Sequence, residues 1–300
     1  MSTSFHHVPV LEETVLTLLE PKPNESVLDV TLGLAGHALR FLKATAPDGR
    51  FIGLDADTLN LNEATKRLAD FSDRITLRHA NFGELPKLQL PQVDILFADL
   101  GLSSPHVDDP SRGFTFRTQA PLDLRYDQQS RQSAADLIRY SEEEELAKIF
   151  RDYGELYPQA RRLGKVLSGQ IFVTTVDLRT AVEKAFGYRA KPLMPQVFQA
   201  LRMAVNDELG VLQTLLEAGP QLLTVGGRMG VLSYHSLEDR MVKHAFRTLA
   251  TPLKDDITGK VAVPASFELV TPKAVVASAE ESAANARARS VKFRILRRLA

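Results

Sequence analysis

Short, continuous apolar runs alternate with amphipathic segments over the first hundred residues of the chain. Four runs are predicted to be strands, at residues 26–31, 50–55, 75–79 and 93–99, and the continuous apolar sequence of the last is typical of a strand buried on both faces. Between them, residues 36–46 and 58–71 repeat apolar side chains at helical spacing, with Thr58 as the predicted N-cap of the second helix. Strands that alternate with helices predict βαβ units and a parallel sheet.

From about residue 107 to about residue 195 the pattern becomes helical. Four helices are predicted, at residues 133–140, 141–153, 157–172 and 175–186. Ser141 with Glu144 is typical of a capping box, and Thr175 followed by Asp177 is typical of a helix start.

The alternation then resumes towards the C-terminus. Helices are predicted at 205–216 and 237–249, and strands at 228–234, 267–270 and 291–296. The Ala- and Ser-rich segment 272–285 is predicted to be a loop. We therefore predict an α/β, Rossmann-like domain formed by residues 1–106 and 196–300, interrupted by a helical insertion at 107–195.

Composition narrows the class of protein. The 300 residues can form a sizeable core, and 44% apolar and 25% charged residues are ordinary for a globular protein. The absence of cysteine excludes disulfides and thiolate metal sites and agrees with a reducing cytoplasm. The sequence shows no signal-peptide pattern and no apolar run near the ~20 residues of a membrane span. We expect a cytoplasmic protein that does not bind membranes.

Charge is balanced overall but uneven along the chain. A formal net charge of zero argues mildly against a general nucleic-acid binder. The segment 287–300 nevertheless has no acidic residue, and its cations are Arg287, Arg289, Lys292, Arg294, Arg297 and Arg298. This tail is either the solvated face of an edge strand or a patch that contacts phosphates.

Candidate ligand-binding residues follow the predicted parallel strands. After the first strand, the turn DVTLGLAGH (29–37) contains Gly33 and Gly36, which let a ligand approach the backbone at a helix N-terminus. The dinucleotide fingerprint G-x-G-x-x-G is absent, so this turn alone is weak support for a ligand site. Asp55 ends the second strand, where a carboxylate binds a ribose diol in such folds. The alternative is a helix N-terminal charge, but the position at the strand end favours the ligand.

Two further strand ends complete this predicted pocket. Phe82 follows the third strand and could stack on a purine or pack in the core. Asp99 ends the fourth strand and can accept hydrogen bonds from an amine. Because ligands bind beyond the carboxyl ends of parallel strands, these residues together predict an adenosine-binding pocket.

The segment 99–125 after the fourth strand is long and aperiodic, which indicates an active-site loop. Its Ser-Ser-Pro turn, residues 103–105, can present hydroxyl and carbonyl oxygens to an exocyclic amine. Asp123, Arg125 and His235 are further polar candidates. His235 is either a general base or the cap of the next helix. Glu238, Asp239 and Arg240 are predicted to be surface charges or a weak ion pair.

Two other kinds of site are disfavoured. A Ser–His–Asp hydrolase would need a nucleophile elbow, and no G-x-S-x-G exists. A zinc site is unsupported because His6 and His7 are adjacent and no other spacing fits a zinc motif. We predict no metal site.

Motifs along the whole chain resemble one family. They are HVPVL (7–11), DVTLGLAGH (29–37), LDAD (54–57), DLGLSSPHVDDPSRGFTF (99–116), PLDLR (121–125), YGEL (153–156), FQALRMAVNDEL (198–209), SYHSLEDR (233–240) and NARARSVKFRI (285–295). By these motifs the chain resembles the bacterial 16S ribosomal RNA cytosine-N4 methyltransferases, the MraW family.

The resemblance implies a Rossmann-like methyltransferase domain with an inserted helical domain. It implies S-adenosylmethionine as methyl donor and, as acceptor, the N4 of a cytidine in the decoding centre (P site) of 16S rRNA. That cytidine also carries a ribose 2′-O-methyl group from a partner enzyme. The donor-binding positions that it implies are Ala35, Gly36, His37, Asp55, Phe82, Asp99 and His106. Ala35 stands where the family has glycine, and His106 where it has glutamine.

The implied reaction needs positioning because the N4 amine of cytosine is a poor nucleophile. No cysteine intermediate is required, and none could form here. The groups predicted to accept hydrogen bonds from the amine are Asp99, Ser103, Ser104 and the Pro105 carbonyl, with Asp123, Arg125 and His235 as second choices.

The substrate must also be held and its base exposed. The target base has to leave its RNA context to reach the pocket, and the insertion and basic tail are the predicted RNA-holding surfaces. A binding module without catalysis and a DNA amino-methyltransferase stay open as alternatives, as does a homodimer.

Overall fold

The computed structural model describes residues 9–103, 106, 109–130, 132–255 and 258–300. The strands are β1 Val27–Asp29, β2 Phe51–Asp55, β3 Ile75–His79, β4 Val93–Asp99, β5 Leu223–Ser233, β6 Leu253–Lys254, β7 Val261–Val263, β8 Phe267–Leu269 and β9 Lys292–Arg298. The α-helices are α1 Glu12–Leu19, α2 Gly36–Ala44, α3 Thr58–Arg67, α4 Ala134–Tyr140, α5 Glu143–Asp152, α6 Ala160–Leu167, α7 Thr175–Phe186, α8 Ala190–Val205, α9 Glu208–Ala218, α10 Ser236–Leu249 and α11 Ala279–Ala284. In this part of the chain, no helix is long and apolar enough to cross a membrane.

Seven of the described strands form one sheet, in the order β3-β2-β1-β4-β5-β9-β8. The strands from β3 to β5 are parallel, and β9 and β8 are antiparallel to their neighbours. This arrangement confirms the predicted α/β class with a mainly parallel sheet. Because β1, β2 and β4 are parallel neighbours, Asp29, Asp55 and Asp99 all lie at the carboxyl edge of the sheet.

The central strands are buried on both faces, as their continuous apolar sequences predict. Side chains of β1 and β4 such as Leu28, Ile95 and Phe97 are fully buried. The strands β3 and β4 have the predicted bounds, 75–79 and 93–99. The edge-strand interpretation of the basic tail is wrong, because β9 lies between β5 and β8.

The chain divides into two compact units. The first contains the sheet and consists of the residues up to Gly101 and from Gly210 onwards; the second is Leu102–Leu209. The predicted insertion, residues 107–195, lies within the second unit. That unit has its own core of helical side chains, including Phe150, Leu163 and Val197.

Several helix starts differ from prediction by a residue or two. Asp57, not Thr58, caps α3, since its side chain accepts from the Leu59 N–H at 2.9 Å. The predicted Ser141–Glu144 box is wrong, because α5 begins at Glu143 without a side-chain cap. The start of α7 at Thr175 is as predicted, with Thr174 as its cap.

Three helices, α1, α8 and α11, have no counterpart in the prediction. Helix α8 contains Pro195, and a proline normally argues against a helix interior. Helix α11 occupies part of the segment predicted to be a loop, so that prediction is wrong there. Ser278 accepts a hydrogen bond from the Glu281 N–H and caps this Ala-rich turn, and alanine is the best helix former.

Candidate active site

The turn between β1 and α2 has a left-handed backbone at two positions. Gly33 has φ +52° and Ala35 has φ 60°, ψ 30°. The structure therefore keeps at Ala35 the conformation that favours glycine, although alanine adopts it at a cost of about 1–2 kcal/mol. A Cβ on Gly36 would lie 2.6 Å from Cγ of Pro9, so only glycine fits there.

Helix α2 begins at this turn without a side-chain cap, because Ala35 has no hydrogen-bonding side chain. The backbone N–H groups of a first helical turn have no partners within the helix and attract anionic groups. The turn therefore suits the carboxylate of an amino-acid-like ligand.

Asp55, at the end of β2, fastens the same turn to the sheet. Its carboxylate accepts from the Gly33 N–H at 2.7 Å and from the Asp57 N–H at 2.8 Å. The Asn60 amide lies 3.3 Å from both carboxylate oxygens. The helix-capping role that was the alternative for Asp55 belongs to Asp57 instead.

Phe82 opens the short 3-10 helix Phe82–Lys87 after β3. Its ring is partly buried and packs against the apolar cluster that includes Leu85 and Leu212. The ring thus contributes to the core, and its stacking on a purine stays a prediction.

Asp99, at the end of β4, has the most unusual surroundings of the predicted residues. The Tyr234 hydroxyl donates to Oδ1 at 2.6 Å, and the Asp99 N–H donates to Oγ1 of Thr31 at 2.6 Å. Nε2 of His37 lies 3.8 Å from Oδ2. Burial raises the pKa of Asp99 to about 6, although the Tyr234 hydrogen bond and the charge of Arg287 both lower it.

Asp29 is a second carboxyl of this kind. Burial raises its pKa to about 7, hydrogen bonds from Thr31 lower it, and the negative charge of Asp99 raises it further. Two neighbouring carboxyls that resist ionisation favour a cationic ligand, because a nearby positive charge stabilises both carboxylates. This edge of the sheet therefore suits a ligand with a sulfonium or ammonium group.

His235 caps helix α10. Its Nδ1 accepts from the Leu237 backbone N–H at 3.3 Å, and the backbone N–H of His235 donates to the Glu238 carboxylate at 3.1 Å. The capping interpretation of His235 is thus correct, whereas its role as a general base stays a prediction.

The two acidic residues in the first turn of α10 are buried, so the surface-charge interpretation is wrong for Glu238 and Asp239. Asp239 accepts from Arg294 at 2.7 Å and from Lys292 at 3.1 Å. The ion-pair alternative is therefore right for Asp239.

The other cations of β9 also have partners within the fold. Arg297 pairs with Glu268 at 3.0 Å, and Arg298 donates to the Leu223 carbonyl at 2.7 Å. The cations of β9 therefore form ion pairs and hydrogen bonds within the fold.

In the second unit, Ser103 and His106 contact each other. Oγ of Ser103 lies 3.0 Å from Nδ1 of His106. The buried His106 ring lies 5.0 Å, between centroids, from both Phe114 and Tyr126, which stack on each other. Ser104 lies outside the described residues, as does Pro105.

Asp123 and Arg125 form a bidentate ion pair in the same unit. Nε and Nη2 of Arg125 each lie 2.7 Å from a carboxylate oxygen of Asp123. This pairing holds the pKa of Asp123 below its usual value. Each side chain is thus the other's partner.

Residues of the motif at 198–209 form hydrogen bonds with Leu124 and Tyr126, which flank Arg125. Arg202 forms a bidentate pair with Glu208, which also accepts from the Tyr126 hydroxyl at 2.9 Å. Asn206 accepts from the Tyr126 N–H at 2.8 Å and donates to the Leu124 carbonyl at 2.8 Å. The sequence analysis assigned no role to these residues or to Tyr234, because most of their contacts join residues eighty or more positions apart.

Comparison with known proteins identifies the relatives of this chain. The model of the MraW methylase family matches residues 4–299. A Syntrophotalea carbinolica protein named ribosomal RNA small subunit methyltransferase H is 44% identical over 310 residues, covering 98% of each chain. Proteins of the same name from Sorangium cellulosum and an Anaeromyxobacter species are both 42% identical. They cover 98% and 100% of this chain, and 91% and 100% of their own lengths.

Proposed function

The chain belongs to the MraW methylase family, and we propose that it methylates the N4 amino group of a decoding-centre (P-site) cytidine in 16S rRNA. The names of its relatives support a small-subunit ribosomal RNA as substrate. The observation that best supports the chemistry is Asp99, a carboxyl at the end of β4 with its pKa raised to about 6.

The first unit has the groups that S-adenosylmethionine requires. The α2 N-terminus at Gly36 and His37 suits the donor's carboxylate, and Asp55 suits its ribose diol. We assign Phe82 to its adenine, and Gly33 and Ala35 to the surrounding surface. The carboxyls of Asp29 and Asp99 suit its positive charges. Bound there, the donor supplies an electrophilic methyl group.

Asp99 has the properties of an acceptor for the N–H of the target amine. Its Oδ1 is occupied by Tyr234, while Oδ2 lies towards His37. Accepting an N–H bond from the amine would orient the nitrogen lone pair towards the methyl group, and orientation is the main contribution an enzyme can make here. With its pKa near neutrality, this carboxylate also suits the removal of the proton that the product releases.

We assign further contacts with the amine to the Ser-Ser-Pro turn, that is, to the hydroxyls of Ser103 and Ser104 and the carbonyl of Pro105. Asp123 and Arg125 neutralise each other, and His235 caps a helix, so these three act as supports of the site. We assign RNA binding to the helical second unit in preference to the basic strand β9, whose cations have partners on α10 and β8.

Product analysis tests this function directly. The protein is incubated with methyl-labelled S-adenosylmethionine and small ribosomal subunits that lack the modification, and the digested nucleosides are identified. We expect label in N4-methylcytidine from a single decoding-centre position. Label in another nucleoside would refute the base assignment, and donor binding without transfer would favour a binding module. Transfer to single-stranded DNA in place of subunits would favour the DNA amino-methyltransferase.

A further inference from the structure

Tyr234 contacts Asp99, the proposed catalytic carboxylate. It lies in the motif SYHSLEDR (233–240), but the sequence analysis assigned it no role. It directly follows β5, and its hydroxyl lies 2.6 Å from Oδ1 of Asp99. Its ring packs beside Gly101, where an added Cβ would lie 3.5 Å from the tyrosine Cδ2. Gly101 has φ +105°, which residues with a side chain rarely adopt, and it lies two residues before Ser103. The tyrosine therefore contacts Asp99 and lies beside Gly101.

The opposite end of the same two strands offers a comparison. There Thr224, on β5, donates to Oδ1 of Asp94, on β4, at 2.8 Å. Oδ2 of Asp94 accepts from both the N–H and the hydroxyl of Ser26 at 2.8 Å, so the fold uses both oxygens. At Asp99 the described residues give a hydrogen bond to Oδ1 alone, and Oδ2 lies 3.8 Å from His37.

We propose that Tyr234 is a positioning residue for methyl transfer, which holds Oδ1 of Asp99 so that Oδ2 is presented to the amine of the substrate. The inference rests on the proposed function, since it assigns Asp99 to the reaction. If the Tyr234 hydroxyl merely joined two strands, it would be equivalent to that of Thr224. The difference is that no described residue donates a hydrogen bond to the second oxygen of Asp99, whereas both oxygens of Asp94 accept one.

Removal of the hydroxyl has a defined electrostatic consequence. The charged or titratable groups around Asp99 are Asp29 on β1, His37 on α2, Tyr234 after β5, and Arg287 before β9. The tyrosine hydroxyl and Arg287 favour the carboxylate, whereas burial and the charge of Asp29 oppose it. Without the hydroxyl, Asp99 ionises at a higher pH, so the acidic limb of the pH–rate profile moves upwards.

The experiment compares Tyr234→Phe with the matched control Thr224→Val. Both variants lose one hydroxyl-to-carboxylate bond between β4 and β5, at opposite ends. For Tyr234→Phe we expect the acidic limb of the pH profile of kcat/KM to move about one pH unit higher. We also expect kcat to fall about tenfold, with KM for the subunit unchanged. Thr224→Val should leave the limb in place. Equal losses in both variants with an unmoved limb, or no change in either, would overturn the proposal.

A second variant covers a failure of Tyr234→Phe to fold. Fluorotyrosine at position 234, introduced by stop-codon suppression, keeps the ring and strengthens the phenol as a donor. We expect its acidic limb to move below that of the wild type, and an unmoved limb contradicts the proposal. If the wild type itself makes no N4-methylcytidine, the proposed function fails. If only these pH shifts are missing, the role of Tyr234 fails alone.

Discussion

The ion pair between Asp239 and Arg294 provides the sharpest stability prediction. Both residues are nearly buried, 8% and 9% exposed, and the Arg294 Nε lies 2.7 Å from the carboxylate. Removing one partner of a fully buried pair costs about 3–5 kcal/mol, because the other charge is left uncompensated. Lys292, the second partner, has a 41% exposed side chain and can return to water. We therefore expect Asp239→Ala to cost about 3 kcal/mol.

Glu268→Ala is the matched control, because it removes the partner of another cation on β9. Its partner Arg297 lies at 3.0 Å, but the two side chains are 37% and 45% exposed, so the loss should be below about 1 kcal/mol. Urea unfolding at pH 7 measures both values. A loss below 1 kcal/mol for Asp239→Ala would refute the reasoning and return Arg294 to the candidate phosphate contacts.

The pH dependence of the same variant is a further check. The two cations hold the pKa of Asp239 below its usual value. The folded protein thus binds the proton less tightly than the unfolded chain, and the stabilisation is complete above the unfolded pKa of about 3.9. It is lost as pH falls through the folded pKa. The difference in the free energy of unfolding between the wild type and Asp239→Ala should therefore become smaller below pH 4.

Three further variants test individual residues. Because burial raises the pKa of Asp29 to about 7, the wild type should lose stability relative to Asp29→Asn as pH rises from about 4 to 7. The loss should reach at most about 4 kcal/mol, and parallel unfolding free energies across that range would contradict it. Ala35→Gly should change the free energy of unfolding by less than about 1 kcal/mol, because relief of the left-handed alanine offsets a lost buried methyl and a more flexible unfolded chain. A loss above 2 kcal/mol in urea would show that the strain is absent. Ser104→Ala should lower turnover with donor affinity unchanged in calorimetry, and a parallel fall in affinity would refute its assignment to the amine.

The strand ends could be predicted because parallel strands buried on both faces have continuous apolar sequences. Asp55 and Asp99 terminate such runs, so their place at one edge of the sheet followed from the sequence. The position of β9 did not follow, since its basic residues match an exposed edge. Their partners Asp239 and Glu268 lie on other elements that the strand's own sequence cannot identify.

Local errors had local causes. Asp57 caps α3 one residue before Thr58, the predicted cap, because adjacent polar residues offer equivalent caps. The capping box of His235 with Glu238 was missed because Glu238 was predicted to be a surface charge or part of an ion pair. That box accounts for the burial of Glu238, whose side chain accepts from two backbone N–H groups.

The single-turnover rate of methyl transfer tests the proposed role of Asp99 most directly. The measurement compares Asp99→Asn with Asp94→Asn, at saturating S-adenosylmethionine, with unmodified small subunits as substrate. Both positions lie on β4, at opposite ends. We predict a loss of about 100-fold or more for Asp99→Asn and a rate within about threefold of wild type for Asp94→Asn. Near-wild-type transfer by Asp99→Asn would contradict the assignment of this carboxylate to the reaction.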